Sequence, residues 1–241
     1  ILETTMKIGL IGYGKMGKAI EKLAANQGHQ IVFALRGDTP PKKEELRNAD
    51  VCIEFTGPES AFTNLKACID SGTPVISGTT GWLEQMEELE NYCRENDGAF
   101  FYASNFSVGV NIFFTLNEQL ARIMNQFEQY DVTMEEIHHT AKKDAPSGTA
   151  ISILDGITEN NQNKSKWHLG HAVKESSIPV NVKRIDPTPG THSVTYSTNI
   201  DAIEIKHTAH SRDGFAQGSI TAAKWLIGKT GVFGMKDMLK F

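Results

Sequence analysis

Lys7-Ile8-Gly9-Leu10-Ile11-Gly12-Tyr13-Gly14-Lys15-Met16-Gly17 is the stretch that decides the fold. Lys7 to Ile11 is a short apolar run with the length of a buried strand, and Gly12, Gly14 and Gly17 follow it as Gly-x-Gly-x-x-Gly. After them Met16, Ile20, Leu23 and Gln27 recur at helical spacing, and Gly28 supplies a stop. The first glycine permits a tight turn, the second lets the backbone approach a pyrophosphate, and the third lets helix and strand pack closely. The helix N-terminus then offers N–H groups and a positive dipole end to phosphates. The turn is a candidate nucleotide site, against the plainer reading of a purely structural turn.

The residues that follow keep the same rhythm. Gln30 to Leu35, Val51 to Phe55, Pro74 to Ser77 and Ala99 to Ala103 read as strands. Pro58 to Ser71 and Trp82 to Asn96 read as helices, while Gly37 to Asn48 reads as a short linker. Short strands apolar throughout, alternating with helices, predict a parallel sheet covered on both faces, hence an α/β domain. The second strand of such a domain often ends in an acid that holds the adenine ribose. Here it ends Ala34-Leu35-Arg36-Gly37-Asp38. Arg36 suits a 2′-phosphate or adenine stacking and tilts the reading toward NADPH, or use of both NADPH and NADH; Asp38 is a displaced alternative.

The pattern changes after Asn105. Phe113, Leu116, Leu120, Ile123, Met124 and Phe127 form a helical stripe. His192, Val194 and Tyr196 then alternate with Ser193, Thr195 and Ser197, and Ile203, Ile205 and His207 alternate with Glu204 and Lys206. A period of two marks a sheet with one buried and one wet face, antiparallel or mixed, so the second domain reads as α+β. Asn160 to Ser177 is polar and reads as a long loop, and Ala216 to Ile227 returns to a helical pattern.

The 241 residues fit one large domain or two modest ones. Lys plus Arg is 24 and Asp plus Glu is 29, a net charge of −5 that argues against a nucleic-acid or polybasic membrane partner. No apolar run approaches the about 20 residues of a membrane span, and Ile8 to Ile11 is too short for a signal peptide. Cys52, Cys68 and Cys93 lack Cys-x-x-Cys spacing and read as buried thiols of a reducing, cytoplasmic compartment. Met6 is the candidate initiator, and Ile1 to Thr5 stand outside the functional argument.

Glu136-Ile137-His138-His139-Thr140-Ala141-Lys142-Lys143-Asp144-Ala145-Pro146-Ser147-Gly148-Thr149-Ala150 carries the chemistry. A strand from Asp131 to Ile137 runs into a loop, and a helix begins near Ser147. Adjacent histidines on extended backbone point to different sides, so one is free to act on a substrate while the other binds it. Lys142 adds a cationic proton donor on the same loop. Ser147 is a good N-cap, and Gly148 and Thr149 then present first-turn N–H groups to an anion such as a carboxylate. Together these residues suit an acidic small molecule with proton donors at hand. Lys142 and Lys143 disfavour a metal there, and His168-x-x-His171 is a weak metal candidate in the polar loop.

His138-His139-x-x-Lys142-x-Asp144-Ala145-Pro146-Ser147-Gly148-Thr149-Ala150 resembles the signature of the dihydrodipicolinate (4-hydroxy-tetrahydrodipicolinate) reductase family. The resemblance extends to Gly78-Thr79-Thr80-Gly81, Asn105-Phe106-Ser107-Val108-Gly109-Val110-Asn111, and Ser211-Arg212 with Phe215-Ala216. It implies a Rossmann-like cofactor domain, residues 1–104 and 215–241, and a substrate-binding and oligomerisation domain, residues 105–214. It implies that Gly12, Tyr13, Gly14, Lys15, Met16 and Gly17 bind the pyrophosphate of NADPH or NADH and that Arg36 lies by the adenosine. Gly78, Thr79 and Thr80, with Ala103, Ser104, Asn105 and Phe106, would flank the nicotinamide.

His138 is implied as the general acid/base and Lys142 as the proton donor, while His139, Ser147, Gly148 and Thr149 would hold a dicarboxylate. The implied reaction removes water from 4-hydroxy-tetrahydrodipicolinate, adds hydride at C4 and protonates the adjacent carbon. Tetrahydrodipicolinate, a precursor of diaminopimelate and lysine, results. The resemblance also implies a homotetramer built through the second domain's sheet. Arg36 in place of the frequent acid departs from strict NADH use, and Lys15 stands where arginine is common. The alternatives are another amino-acid dehydrogenase on a similar plan, or a non-catalytic dinucleotide sensor; the latter is expected to lack His138 or Lys142.

Overall fold

The computed structural model describes residues 5–36, 39–172, 174–211 and 213–240. Asp38 and Arg212, both drawn into the sequence reading, lie outside them. In chain order the elements are β1 (Lys7–Ile11), α1 (Lys15–Asn26), β2 (Gln30–Leu35), α2 (Lys43–Arg47), β3 (Val51–Glu54), α3 (Pro58–Ser71), β4 (Val75–Ser77), α4 (Met86–Glu95) and β5 (Ala99–Tyr102). There follow α5 (Val108–Met124), β6 (Asp131–His138), α6 (Gly148–Thr158), β7 (Lys166–Leu169), β8 (Ser177–Arg184), β9 (Gly190–Ser197) and β10 (Ala202–Ala209). The chain closes with α7 (Asp213–Leu226), β11 (Gly231–Phe233) and α8 (Met235–Leu239). Two compact units result, Ile1–Ser107 with Asp213–Phe241, and Val108–Arg212.

In the first unit six strands, among the described residues, lie in the order β11-β5-β4-β3-β1-β2, all pairs parallel. β3 and β4 are buried at every position, which is why their sequences show no alternation. Ile8, Leu10, Ile53 and Phe101 pack with Ile20, Ile220 and Leu226, residues of α1 and α7. Ile11, Cys52, Val75 and Phe100 pack with Leu65 of α3 and Leu89 of α4. The chain leaves β1 toward α1, on the side of β2, and later returns through β3 on β1's other edge. This reversal beside the carboxyl end of β1 is where an open α/β sheet leaves a crevice for ligands.

The second unit has, among the described residues, a five-stranded mixed sheet ordered β10-β9-β6-β8-β7. β10, β9 and β6 are antiparallel neighbours, whereas β6, β8 and β7 run parallel. Its core joins Val132, Met134, Val194 and Tyr196 of the sheet to Phe113 and Met124 of α5 and Ile153 and Leu154 of α6. Burial alternates along β6, so Val132, Met134, Glu136 and His138 share the inward face.

Local departures from the sequence reading have local causes. The supposed loop Asn160 to Ser177 contains β7, an edge strand held by parallel pairing to β8 rather than by an apolar pattern. The supposed linker contains α2, where Glu45 accepts from the Lys42 N–H at 3.0 Å and Leu46 is buried. The helix expected from Trp82 begins as a 3₁₀ turn, Leu83–Gln85. The expected stripe outruns its helix, since Phe127 lies past the end of α5, and Leu116 and Ile123 are 48% and 56% exposed, so the apolar stripe of α5 is wider than the face its unit covers.

Candidate active site

The three glycines of the first turn differ in what surrounds them. Gly12 has φ +100°, and a Cβ there would lie 2.0 Å from the Phe55 carbonyl oxygen. A Cβ on Gly17 would lie 2.6 Å from the Gly12 oxygen, whereas one on Gly14 would meet nothing within 4 Å. The first and third glycines thus serve close packing and the second faces open space. Gly14 caps α1 without a side-chain acceptor, and the first turn carries no acid. A cavity of about 330 Å³ lies against Gly12, Tyr13, Gly14, Lys18, Arg36, Phe55, Thr56 and Gly57. The Arg36 guanidinium stands 5.4 Å from the Tyr13 ring centroid. These groups fit a dinucleotide: a glycine cradle, a helix N-terminus and two cations for its phosphates. Lys18, one turn into α1 and outside the glycine motif, lines the cavity, while Lys15, Met16 and Gly17 do not.

The expected nicotinamide loops sort by burial. A Cβ on Gly78 would press on the Phe55 ring at 2.1 Å. The Thr79 hydroxyl donates to Glu54 Oε1 at 2.8 Å and accepts the Thr56 N–H at 2.9 Å. The Thr79 carbonyl accepts the Trp82 indole N–H at 2.7 Å, so Thr79 supports the loop from within. Thr80 and Ser104 are exposed, whereas Ala103, Asn105 and Phe106 are buried, Phe106 stacked 5.8 Å from Phe101. The support converges on fully buried Glu54, which also accepts from the Thr56 N–H at 2.8 Å, the Ser77 hydroxyl at 2.5 Å and the Thr56 hydroxyl. An acid closing an otherwise apolar strand was the signal for it.

In the second unit the register of β6 gathers the chemistry. Glu136 pairs across from His192 of β9, and His138 from Arg184 of β8. Glu136 Oε1 accepts from both terminal nitrogens of Arg184 at 3.2 Å and lies 3.9 Å from His138 Nδ1. Oε2 accepts the Ser147 N–H at 2.9 Å and lies 3.9 Å from His192 Nε2. The Ser147 hydroxyl caps α6 by accepting the Ala150 N–H at 3.1 Å and shares a 3.2 Å contact with His192 Nε2. Ser147 is thus buried and engaged at both polar groups, so the opening of α6 begins at Gly148, where a Cβ would meet nothing within 4 Å.

The electrostatics follow from this packing. Burial works to raise the Glu136 carboxyl, but hydrogen bonds from Ser147, with His138 and Arg184, outweigh it and hold the pKa below the usual value. Burial lowers His138; Glu136 opposes that, and Lys142 and Arg184 add to it. Burial, then His138, brings His192 down to about 4. Lys142 Nζ reaches both Asp144 oxygens, at 2.9 and 2.8 Å, and this hydrogen bonding holds Asp144 below its ordinary pKa. His139 is half-buried, one residue past the end of β6.

Ligand atoms of Glu136, His138 and His192 lie within 4.8 Å of one another, a spacing a metal ion can use. Arg184 and Ser147 already donate to the two carboxylate oxygens, so protein donors meet that charge. His168, the other metal candidate, bonds Ser177 Oγ at 2.8 Å and the Ala172 oxygen at 2.9 Å, using both ring nitrogens to hold its loop.

Comparison with known proteins shows the family of the chain. The family models "Dihydrodipicolinate reductase, N-terminus" and "Dihydrodipicolinate reductase, C-terminus" match residues 6–106 and 109–239. A 4-hydroxy-tetrahydrodipicolinate reductase of Christiangramia forsetii is 49% identical over 97% of this chain and 98% of its own length. One from Methanoculleus marisnigri is 38% identical over 80% of this chain and 77% of its own. The structure of a dipicolinate-bound dihydrodipicolinate reductase from Paenisporosarcina sp. TG-14 has the same fold, with a TM-score of 0.77 at 20% identity, covering 98% of this chain and 100% of that one. With both halves matched and a relative this similar along nearly its whole length, the chain belongs to the dihydrodipicolinate reductase family.

Proposed function

We propose that the protein is an NAD(P)H-dependent oxidoreductase that reduces 4-hydroxy-tetrahydrodipicolinate to tetrahydrodipicolinate, with loss of water, on the route to diaminopimelate and lysine. The carrying observation is buried Glu136 in the second unit, which accepts the N–H of the α6 N-cap Ser147 with one oxygen and stands 3.9 Å from His138 Nδ1 with the other. It supports reading His138 as an acid/base group near a helix terminus suited to a carboxylate. In this reading the first unit binds the cofactor and the second binds substrate.

Bound NAD(P)H supplies a hydride. His138 exchanges a proton at its imidazole, and Lys142 Nζ delivers one to the carbon next to the reduced centre. His139, Gly148 and Thr149 hold the carboxylates, and Ser147 fixes the helix that presents them. Net uptake is one hydride and one proton for one water lost. Lys18 and Arg36 favour NADPH, with NADH as a second donor, because both cations line the cofactor cavity.

We place the protein in the cytoplasm as a homotetramer assembled through the second unit. Three free, buried cysteines suit a reducing compartment, and no described helix is long and apolar enough to cross a membrane. A recess of about 260 Å³ among Thr133, Glu135, Asn181, Ser193, Thr195 and Glu204 leaves that sheet's outer face open to a partner. The test is oxidation of NADPH or NADH in the presence of the product of dihydrodipicolinate synthase. Purified protein that oxidises neither sinks the reading.

A further inference from the structure

We propose that Glu136 is a positioning residue for proton transfer, one carboxylate oxygen orienting His138 through Nδ1 and the other anchoring the N-terminus of α6. The proposal rests on the reading of His138 as the acid/base group and of α6 as the carboxylate cradle.

The observation behind it is an unmet need. His138 Nδ1 is buried without a hydrogen-bond partner among the described residues. Buried polar atoms are seldom left so, and an unpaired one is costly. Glu136 Oε1 lies 3.9 Å away, within reach of a small side-chain adjustment. Glu136 is itself fully buried, with Arg184 donating to the same oxygen at 3.2 Å. That pairing keeps the carboxylate ionised and fixes its plane.

An acceptor at Nδ1 selects the tautomer that carries its proton there, which leaves Nε2 to do the chemistry. Nε2 faces Gly190, where even a Cβ would come within 3.2 Å of it. When Nε2 takes a proton, Glu136 offsets the new charge. The other oxygen holds the Ser147 N–H at 2.9 Å, so one rigid carboxylate sets the distance between the imidazole and the helix terminus. The charged and titratable groups facing His138 are Glu136 on its own strand, Lys142 and Asp144 on the following loop, Arg184 on β8 and His192 on β9. Of these, Glu136 raises the affinity of His138 for a proton most strongly, and Lys142 and Arg184 lower it.

The test follows the His138 imidazole resonance by NMR in the full-length protein, assigned by its loss in His138→Gln, beside steady-state kinetics. Glu136→Gln keeps the shape and removes the charge. We expect His138 to titrate about one unit lower in that variant, which makes the protonated fraction about tenfold smaller at pH values well above its titration. The kcat profile shifts the same way, while NADPH affinity stays within twofold. Glu136→Asp restores the charge but shortens the reach, so His138 titrates near its wild-type pH while KM for substrate rises severalfold. A purely structural Glu136 would leave the His138 titration alike in wild type and Glu136→Gln, and that result overturns the proposal. Should Glu136→Gln fail to fold, wild-type kcat and KM in Glu136→Asp overturn it. Inactive wild-type protein would refute the reductase reading instead, and the titration would still judge Glu136.

Discussion

The ammonium of Lys142 sits against both carboxylate oxygens of Asp144, at 2.9 and 2.8 Å. In the proposed mechanism Lys142 must be released from this pair to serve a substrate. The Asp144 side chain is 58% exposed and that of Lys142 22%, and ion pairs with an open partner of this kind contribute only about 0–1 kcal/mol, so release costs little. Lys142→Ala and His138→Gln are each expected to lower turnover at least about 100-fold, as for acid–base groups. Asp144→Asn, which frees the lysine but leaves it in place, is expected to lower kcat by less than about tenfold. Stopped-flow and steady-state rates on the three variants check this. Equal losses in all three would make the ion pair, rather than the lysine, the working unit.

A side chain at Gly190 is expected to press on His138. Its missing Cβ is what leaves room at His138 Nε2, and a methyl at 3.2 Å forces the ring to move. Gly190→Ala should reduce kcat about tenfold or more, the size of effect a displaced acid/base group produces. Cofactor affinity should hold, because the glycine turn is in the first unit. Wild-type kcat in this variant would show that His138 works through another face.

What the sequence disclosed, and what it hid, depended on the range of the interaction. The turn at Gly12, Gly14 and Gly17 is local, and its geometry follows from residues that are neighbours in the chain. The alternation around His192, Val194 and Tyr196 is local too, and those residues face inward as the period of two requires. Glu136 stood in plain view beside His138 but reads alone as one more strand residue. Its meaning arises from register, which brings His192 of β9 opposite it and Arg184 of β8 opposite His138. β7 escaped for the same reason, since an edge strand is defined by its partner's backbone. Thr79 shows the converse: a threonine in a glycine-rich loop suggests an exposed contact, yet buried Glu54 draws its hydroxyl inward.

Arg36 over Tyr13 leads to a prediction about cofactor choice. The guanidinium stacks on the ring at the wall of the cavity that also holds Lys18. A 2′-phosphate gains charge-assisted hydrogen bonds from such a group that a ribose hydroxyl lacks. Arg36→Ala is expected to weaken NADPH about tenfold, roughly 1.4 kcal/mol, and NADH by less than twofold. Parallel titrations of the two cofactors decide it. Equal weakening would assign Arg36 to the adenine ring, and no change would remove it from the site.

The buried His192 predicts how stability depends on pH. Its folded pKa of about 4 lies below the ordinary 6.5. As pH falls below 6.5, the unfolded chain takes up the proton first, which favours unfolding. The contribution is therefore complete above pH 6.5 and is lost as pH falls toward 4, below which it stays lost. Integrated from pH 7.5 to 4.5, the loss is about 2.5 kcal/mol. His138, lowered for the same reason, adds in the same direction. His192→Gln removes the titration, so its urea-unfolding free energy should fall less over that interval, by about 2.5 kcal/mol, than the wild type's. The variant starts from a lower value at pH 7.5, because it disturbs the 3.2 Å contact with Ser147. That offset is constant in pH and leaves the slope to report on the histidine. Equal slopes for the two proteins would mean that His192 takes its proton as readily in the folded chain as in the unfolded one. The burial that holds it neutral beside Glu136 and Ser147 would then be wrong.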